Sequence, residues 1–215
     1  MDGSAEFPAQ LLVWAVPIVF AIMLHEVMHG VVARLLGDDT AARAGRLTLN
    51  PLAHIDPFGT IILPGMLLFM HLPVFGYAKP VPVDFSRLRP RRAGMIAVAA
   101  AGPLTNLALA ALSAAVFRKL IPHPDMPMGH AAVALAGRIA LASCIVNIEL
   151  AVFNLFPLLP LDGGRVIAGI LPVGLARAFA RLGRYGFLIL LLLLYTNTVN
   201  AVINPIINAI ARALL

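Results

Sequence analysis

Four apolar runs in the sequence are long enough to cross a lipid bilayer as α-helices. They cover residues 9–36, 93–117, 130–156 and 185–202, and a crossing needs about 20 mainly apolar residues. The continuation of the last run to Leu215 carries Asn204-Pro205, where we expect the helix to break. Only 12% of all residues are charged and 60% are hydrophobic, whereas roughly a quarter of the residues in a soluble domain are charged. The sequence therefore predicts an all-α polytopic membrane protein with about four transmembrane helices.

A fifth apolar stretch, residues 58–72, is shorter than a crossing needs. If it enters and leaves the membrane on one side, most Arg and Lys residues collect on one face of the bilayer. The positive-inside rule makes that face cytoplasmic and places both termini outside the cytoplasm. We therefore expect a short re-entrant membrane segment here. The predicted cytoplasmic face carries Arg34, Arg43, Arg46, Lys79, Arg87, Arg89, Arg91, Arg92, Arg165, Arg177, Arg181 and Arg184, and the opposite face keeps Arg118, Lys119, Arg138 and Arg212.

The chain is predicted to form one membrane domain, residues 9–215, without internal repeats. Residues 1–8 are a polar tail whose Gly-Ser-Ala-Glu-Phe run resembles a cloning remnant, and we assign no function to it. Between residues 75 and 83, Pro80 and Pro82 exclude a helix, so a small β-strand element is predicted there. Its edge either accepts an extended substrate or packs within the protein, and the sequence favours neither. The net charge of +6 is scattered through short connections. This pattern indicates contact with the lipid bilayer and not with nucleic acid.

The first apolar run contains the sequence His25-Glu-Val-Met-His29, an HExxH pattern. Residues four apart share one face of a helix, so both imidazoles can bind one metal ion. Glu26 lies about 100° around the helix, where its carboxylate can hold a water molecule. Ionisable groups inside a membrane are costly unless they have partners, so two histidines that merely line a polar cavity are the weaker interpretation.

Asp162 is the best candidate for a third ligand. A catalytic zinc takes three protein ligands and keeps one position open. The sequence Asp162-Gly-Gly directly follows the third apolar run, although taken alone it also fits a simple turn. With four crossings, the first and third runs end on the same side of the membrane, so Asp162 can reach His25 and His29.

Three motifs together resemble the site-2 protease family of intramembrane zinc metalloproteases. They are the HExxH sequence, Gly102-Pro-Leu-Thr-Asn106 and Asn154-Leu-Phe-Pro-Leu-Leu-Pro-Leu-Asp-Gly-Gly164. Two further segments, 45–54 and 76–81, are similar to the compact prokaryotic branch of that family. The sequence shows no PDZ or CBS module, so we expect no substrate selection by an appended domain.

The resemblance implies the chemical roles of five residues. One zinc ion per chain would be bound by His25, His29 and Asp162. Glu26 would act as the general base, and Asn154 would lie near the reacting carbonyl group. Asn154 is thus the first candidate for donating a hydrogen bond to the oxyanion.

Four other polar residues, Asn106, Tyr77, His54 and Glu149, are also candidates for a role. Asn106 is the second candidate for the oxyanion donor, and contact between helices is an equally good explanation of it. Tyr77 is a candidate for substrate binding because residues 75–83 offer an edge to an extended peptide. His54 is another such candidate, although a hydrogen-bonded structural histidine explains it equally well. Glu149 is an intramembrane carboxylate that we expect to pair with Arg138 or Asn106.

The predicted function is a zinc-dependent endopeptidase that hydrolyses peptide bonds within or next to transmembrane segments. Its substrate would be a membrane protein, most simply one with a single span. The enzyme would reside in a prokaryotic cell membrane with its active site toward the cytoplasm. Two alternatives are a metal-ion transporter, which needs a second ligand cluster that the sequence does not offer, and a catalytically silent scaffold, against which Glu26 argues.

Overall fold

The computed structural model of the chain describes residues 3–70, 76–120 and 131–215. Short 3₁₀ turns occur at Pro51–His54 and Gly183–Tyr185, and a π-helical turn covers Pro57–Ile62. The α-helices of the described residues are α1 (Gly3–Leu35), α2 (Thr40–Arg43), α3 (Leu63–Phe69), α4 (Arg91–Leu120), α5 (Ala131–Asn154), α6 (Asp162–Ile170), α7 (Val173–Leu182), α8 (Gly186–Tyr195) and α9 (Thr198–Leu214).

Four stretches of the described residues are long and apolar enough to cross a membrane. They are Gln10–Leu35, Arg91–Leu120, Ala132–Asn154 and Val173–Tyr195. The prediction of an all-α membrane protein is therefore confirmed. The shorter apolar helix Pro57–Phe69 does not reach this length, as expected for the fifth apolar stretch.

Two predicted boundaries are wrong. Helix α1 begins at Gly3 and so includes most of the predicted N-terminal tail. The predicted fourth run is divided between α8 and α9, because the chain breaks at Asn197, whose φ of 58° lies in the left-handed region that Asn tolerates better than most residues. The break expected at Pro205 does not occur, and Pro205 lies inside α9. Membrane helices tolerate proline where neighbouring groups satisfy the freed carbonyl.

Helix α4 lies at the centre of the fold and packs against α1, α5 and α6. Its buried surface consists mainly of small residues, which allow helix backbones to approach closely, as is common between membrane helices. These small buried residues are Gly94, Ala99, Ala101, Gly102, Ala110 and Ala114.

Residues 37–90, which we call the excursion, leave and return at the same end of α1. The backbone amide of Arg89 donates to the carbonyl oxygen of Leu36 over 2.9 Å. Close by, Leu88 packs against Ala33 in a buried apolar cluster. The last residues before α4 therefore lie beside the end of α1.

Asp38 links the two ends of the excursion by hydrogen bonds. Its carboxylate is fully buried and accepts hydrogen bonds from the backbone amides of Asp84, at 2.7 Å, and Thr40, at 3.1 Å. Burial by itself would raise the pKa of Asp38, but the hydrogen bonds from Thr40 and Asp84 outweigh this effect and the pKa is lowered. Asp38 therefore stays charged and keeps these bonds at neutral pH.

The predicted β-strand element does not form. No residue is in a β-strand in the part of the chain that the structure describes, and Phe75 lies outside that part. Residues 76–83 run without regular secondary structure because their amides find partners in helical turns and in the side chain of Glu26, and not in a second strand. The amide of Tyr77, for example, donates to the carbonyl oxygen of Gly59 in the π-helical turn over 3.0 Å.

Candidate metal centre and cavity

Side chains from two distant parts of the chain meet between α1 and α6. The Nε2 atom of His25 lies 3.1 Å from Nε2 of His29 and 3.1 Å from Oδ2 of Asp162. Nε2 of His29 lies 3.2 Å from the same carboxylate oxygen. All three residues are buried. Because the three atoms form a nearly equilateral triangle, a single cation can contact all of them.

The hydrogen bonds of the two histidines make their inward-facing nitrogens acceptors. Nδ1 of His25 lies 2.6 Å from the side-chain oxygen of Asn106, and Nδ1 of His29 lies 2.6 Å from the carbonyl oxygen of Val98. Both partners are acceptors, so each Nδ1 carries the hydrogen and each Nε2 of a neutral imidazole keeps a lone pair. Together with the carboxylate of Asp162, three acceptors face one another, an arrangement that a cation between them stabilises.

The dimensions and the donor set fit zinc. Ligands about 2.0–2.1 Å from a tetrahedral zinc stand about 3.3 Å from one another, and the three distances here are 3.1, 3.1 and 3.2 Å. Two imidazoles and one carboxylate leave a fourth position open, as in catalytic sites. Within residues 3–70, 76–120 and 131–215, no other group of three His, Cys, Asp or Glu residues is close enough to hold a metal ion.

Gly102 brings the backbone of α4 against the two histidines. A Cβ atom at this position would lie 2.5 Å from Nε2 of His29 and 2.6 Å from Nε2 of His25. Such distances are far below van der Waals contact, so any side chain at residue 102 would displace the ligands. The glycine of the Gly102-Pro-Leu-Thr-Asn106 motif therefore has a steric role at the metal centre.

Asn106 contacts Nδ1 of His25 and so orients the imidazole ring. It is fully buried, and its amide nitrogen donates to the carbonyl oxygen of Ala21 over 3.2 Å and to the side-chain oxygen of Asn147 over 2.8 Å. Asn147 in turn donates to the carbonyl oxygen of Ser143 over 2.8 Å. This polar chain links α1, α4 and α5, and such bonds behind a histidine ligand fix its ring and its tautomer.

Asp162 reaches the centre because it is the first residue of α6, directly after a tight connection. A Cβ atom at Gly163 would lie 2.1 Å from the carbonyl oxygen of Leu155, and one at Gly164 would also meet backbone atoms. The two glycines therefore let the chain fold back after α5. The guanidinium of Arg165 donates to Oδ1 of Asp162 over 3.3 Å, which leaves Oδ2 for the metal.

Glu26 lies beside the histidine pair on an adjacent face of α1. Its side chain is half-buried, and Oε2 accepts a hydrogen bond from the backbone amide of Val81 over 2.8 Å. The residues on either side of Val81 are Pro80 and Pro82, which have no amide hydrogen. The carboxylate is thus held by the excursion and not by the metal ligands.

A cavity of about 950 Å³ opens beside the metal ligands. Each of three helices contributes one face to it, with the spacing of three or four residues that one side of a helix requires. Helix α1 provides Trp14 and Ile18 in addition to the ligands, α5 provides Phe153, and α9 provides Ile203. The wall is therefore largely apolar and leads directly to Glu26 and the metal centre.

Curated proteins similar to this chain match along almost all of its length. One is "Putative zinc metalloprotease YwhC" of Bacillus subtilis, which is 37% identical over 213 residues, 97% of this chain and 92% of that protein. The chain belongs to the site-2 protease family. Zinc is therefore its cofactor, and His25, His29 and Asp162 are the described residues that could bind the ion.

Two mycobacterial relatives of this site-2 protease carry the name Rip2 with the same description. The protein of Mycobacterium tuberculosis is 32% identical over 181 residues, 84% of this chain and 65% of that protein. The protein of Mycolicibacterium smegmatis is 29% identical over 183 residues, 85% of this chain and 66% of that protein. No family model and no solved structure matches the chain.

Two of the other predicted site residues of the protease line the cavity. Asn154, at the end of α5, is half-buried in its wall, and its amide donates to the carbonyl oxygen of Leu150 over 2.9 Å. The ring of Tyr77 lies against Gly59, where an added Cβ would be 2.4 Å from a ring carbon. Because Gly59 has no side chain, the ring of Tyr77 can pack against it and form part of the cavity wall. The catalytic role of Asn154 and the substrate-binding role of Tyr77 stay predictions.

The structure does not bring two predicted residues to the cavity. Asn106 is behind His25 and uses its amide hydrogens within the protein, so it is a positioning residue and not a donor to the oxyanion. His54 is buried outside the cavity wall, and its Nε2 lies 3.0 Å from the carbonyl oxygen of Thr48. This contact favours the structural interpretation of His54.

Some residues of the site were not singled out from the sequence. Arg165 follows Asp162 by three positions, a spacing that suggests contact on a helix. Gly102 and Val81 act through backbone contacts between distant segments, which no local pattern reveals. The expected pairing of Glu149 with Arg138 or Asn106 is absent in the described residues, because Asn106 bonds to His25 and Asn147 instead.

Proposed function

We propose that this site-2 protease is an intramembrane endopeptidase that cleaves membrane proteins within or next to their transmembrane segments. One observation carries the proposal: His25 and His29 lie in Gln10–Leu35, a stretch apolar enough to cross a bilayer, and together with Asp162 they face a largely apolar cavity. Ionisable groups at such a depth are costly and are associated with function. A membrane-embedded peptide is the substrate that such a cavity suits.

Glu26 moves the proton in the proposed reaction. Zinc held by His25, His29 and Asp162 supplies Lewis acidity, which polarises a carbonyl group and makes water more acidic. The carboxylate of Glu26 takes a proton from the attacking water and returns it to the nitrogen of the leaving peptide. The bond from the Val81 amide to Oε2 orients the carboxylate and leaves Oε1 free for this transfer.

Asn154 is the proposed donor to the oxygen that becomes negatively charged as the peptide carbonyl is attacked. It stands in the same cavity wall as Glu26 and Asp162, and its side-chain amide holds only a backbone carbonyl at present. A small rotation of that amide exchanges this acceptor for the substrate oxygen. A donor that meets charge developing in the transition state lowers the barrier directly.

The substrate must unwind before it is cleaved, because a helix hides each peptide bond in its own hydrogen bonds. We propose that an extended segment enters from the membrane between α1 and α9 and lies along residues 76–83, with Tyr77 against it. The cavity between these helices, about 950 Å³, has the volume that an extended peptide of several residues requires.

The active site is proposed to face the cytoplasm, with Pro57–Phe69 as a re-entrant segment. The excursion begins and ends beside Leu36, and the helix within it is too short to span a bilayer. This arrangement puts the excess of basic residues on the side of the metal centre, which the positive-inside rule makes cytoplasmic.

A metal transporter is a weaker reading of the same ligands. Transport requires further ligands along a path across the membrane, and the described residues hold a single group that could bind a metal ion. A scaffold without activity would have no use for the half-buried carboxylate of Glu26 beside the ligands. Both alternatives are separated from the protease by one experiment.

The experiment uses the purified protein in lipid vesicles with a single-span test protein, and measures cleavage and bound zinc. Glu26→Gln should keep one zinc per chain and lose all measurable cleavage, because the amide cannot accept the proton. Asp162→Ala should lose both zinc and cleavage, and a chelator should reproduce that loss in the unchanged protein. Full activity of Glu26→Gln, or unchanged zinc and cleavage in Asp162→Ala, would contradict the proposal.

A further inference from the structure

Glu149 is a carboxylate inside the membrane framework that the proposed reaction does not use. It lies in the apolar stretch Ala132–Asn154, lines the same cavity as the metal ligands and is exposed to that cavity. Within the described residues it makes neither a hydrogen bond nor an ion pair. An acidic group in this position needs a partner, and the part of the chain that the structure describes does not provide one.

The surroundings of Glu149 in the cavity wall are mainly apolar, with two carboxamides among them. The same face of α5 carries Val146, Leu150 and Phe153. On α9, Asn200 and Asn204 also line the cavity. Two carboxamides from α9 and one carboxylate from α5 therefore line the same cavity, where a hydrogen-bonding cation would find acceptors.

The other acidic groups of the cavity are already engaged. Glu26 accepts the amide of Val81, and Asp162 is shared by the metal site and Arg165. Glu149 is thus the one carboxylate of the described cavity wall without a partner. A carboxylate with apolar neighbours in a membrane-spanning stretch is stabilised by a cation beside it, since an ionised group in the membrane is costly when left without a partner.

We infer that Glu149, together with Asn200 and Asn204, forms a subsite for a lysine or arginine side chain of the substrate near the scissile bond. This inference rests on the proposed function and names the class of substrate that the same cavity selects. Glu149 precedes Asn154 by five residues, roughly 7.5 Å along the helix axis, so the cation would enter a few residues from the reacting carbonyl group.

The expected substrates supply such a cation. Transmembrane segments are flanked on their cytoplasmic side by an excess of Lys and Arg, and this is the side that the proposed active site faces. A single-span protein drawn into the cavity thus carries a basic residue close to the segment that is cleaved. Glu149 would thus recognise the basic residue at the cytoplasmic end of the substrate's transmembrane segment.

The test compares cleavage of three single-span proteins that differ only in one residue at that border, which is Lys, Leu or Glu. Each is cleaved in lipid vesicles by the unchanged protease, by Glu149→Gln and by Glu149→Lys, and kcat/KM and bound zinc are measured. The unchanged protease should prefer Lys over Leu by about tenfold or more. Glu149→Gln should bring this ratio close to one, and Glu149→Lys should prefer the Glu substrate.

Arg138→Gln is the matched control, because Arg138 lies on the same helix but outside the cavity wall, and its Lys-to-Leu ratio should not change. Equal cleavage of all three substrates by the unchanged protease, or an unaltered ratio in Glu149→Gln with full zinc, would overturn the subsite while leaving the proposed function intact. If the unchanged protease cleaves none of the three, the proposed function itself fails, and the subsite fails with it.

Discussion

One turn of α1 presents two faces that are built in opposite ways. The face with His25 and His29 is buried against α4, and each of its polar atoms has a partner that fixes it. The face with Glu26 is half-buried, borders the cavity and is held by a single backbone amide of the excursion. The metal ligands are thus positioned by packed helices, whereas the general base is positioned by an irregular segment.

The two faces of α1 therefore separate the binding of the metal from its use in catalysis. Changes on the α4 side should affect zinc and cleavage together, because they disturb the ligands. Changes on the excursion side should leave zinc in place and affect cleavage alone.

Gly102→Ala should have the largest effect. The added methyl group would lie 2.5 Å from Nε2 of His29, so α4 or the ligands must move. We expect zinc to be lost and cleavage to fall by more than about a hundredfold, which is what a displacement of about 1 Å costs at a catalytic centre. Bound zinc measured by atomic absorption and the cleavage rate give the result.

Gly65→Ala is the control for this substitution, since a Cβ atom at Gly65 would meet nothing within 4 Å. It should keep both zinc and activity. A Gly102→Ala variant with normal zinc content would show that the α4 side is less rigid than its contacts indicate. It would contradict the proposed difference between the two faces of α1.

Asn106→Ala should have the next largest effect. It removes the acceptor that holds Nδ1 of His25 at 2.6 Å, so the ring can turn and either nitrogen can carry the hydrogen. Loss of such a bond lowers metal affinity by about 10–100-fold. Zinc competition with a chromophoric chelator measures the affinity, and cleavage at saturating zinc should recover much of its rate.

The exposed residue Asn208, on α9, offers a matched control. Asn208→Ala should bind zinc as the unchanged protease does. If Asn106→Ala instead lost cleavage with unaltered zinc affinity, Asn106 would belong to the reacting side of the site and not to the side that holds the metal.

Val81→Pro should have the smallest effect of the three and should spare the metal. It removes the amide hydrogen that reaches Glu26 in a segment where both neighbours are already proline. Zinc content should stay normal, and kcat should fall by about tenfold, which corresponds to the loss of about 1.4 kcal/mol from a hydrogen bond to a charged group.

Val81→Ala keeps the amide hydrogen and should therefore retain most of the activity. Zinc loss in Val81→Pro but not in Val81→Ala would mean that the excursion also supports the ligands. Normal kcat in Val81→Pro would show that Glu26 is oriented by other contacts.

The parts of the site that follow from local periodicity could be predicted from the sequence. His25 and His29 are four residues apart, so they share one face wherever they lie in a helix. The first and third crossings end on the same side of the membrane, and this brings Asp162 to the side of the histidines. The contact of Val81 with Glu26 could not be predicted, because it joins segments 55 positions apart through a backbone atom. The prediction of a β-strand element at residues 75–83 was wrong for the same reason. Prolines indicate an extended backbone but do not reveal which segment pairs with it.

The break in the last apolar run shows a different limit. Pro205 was the expected site because proline lacks an amide hydrogen, yet the chain turns at Asn197. The conformation of Asn197 depends on how α8 and α9 pack against the rest of the protein, and both helices contribute residues to one buried cluster. Propensity marks residues that allow a break, and tertiary packing selects among them.

The polar chain through Asn106 and Asn147 has a consequence for how the helices can move. A helix advances by about 100° per residue, so even a modest twist of α1, α4 or α5 about its own axis would carry one amide out of reach of the next. Sliding or tilting a peripheral helix leaves these bonds intact. Helices α1, α4 and α5 thus resist rotation relative to one another, whereas a shift of a helix outside this chain of bonds would not alter the contact between Asn106 and His25.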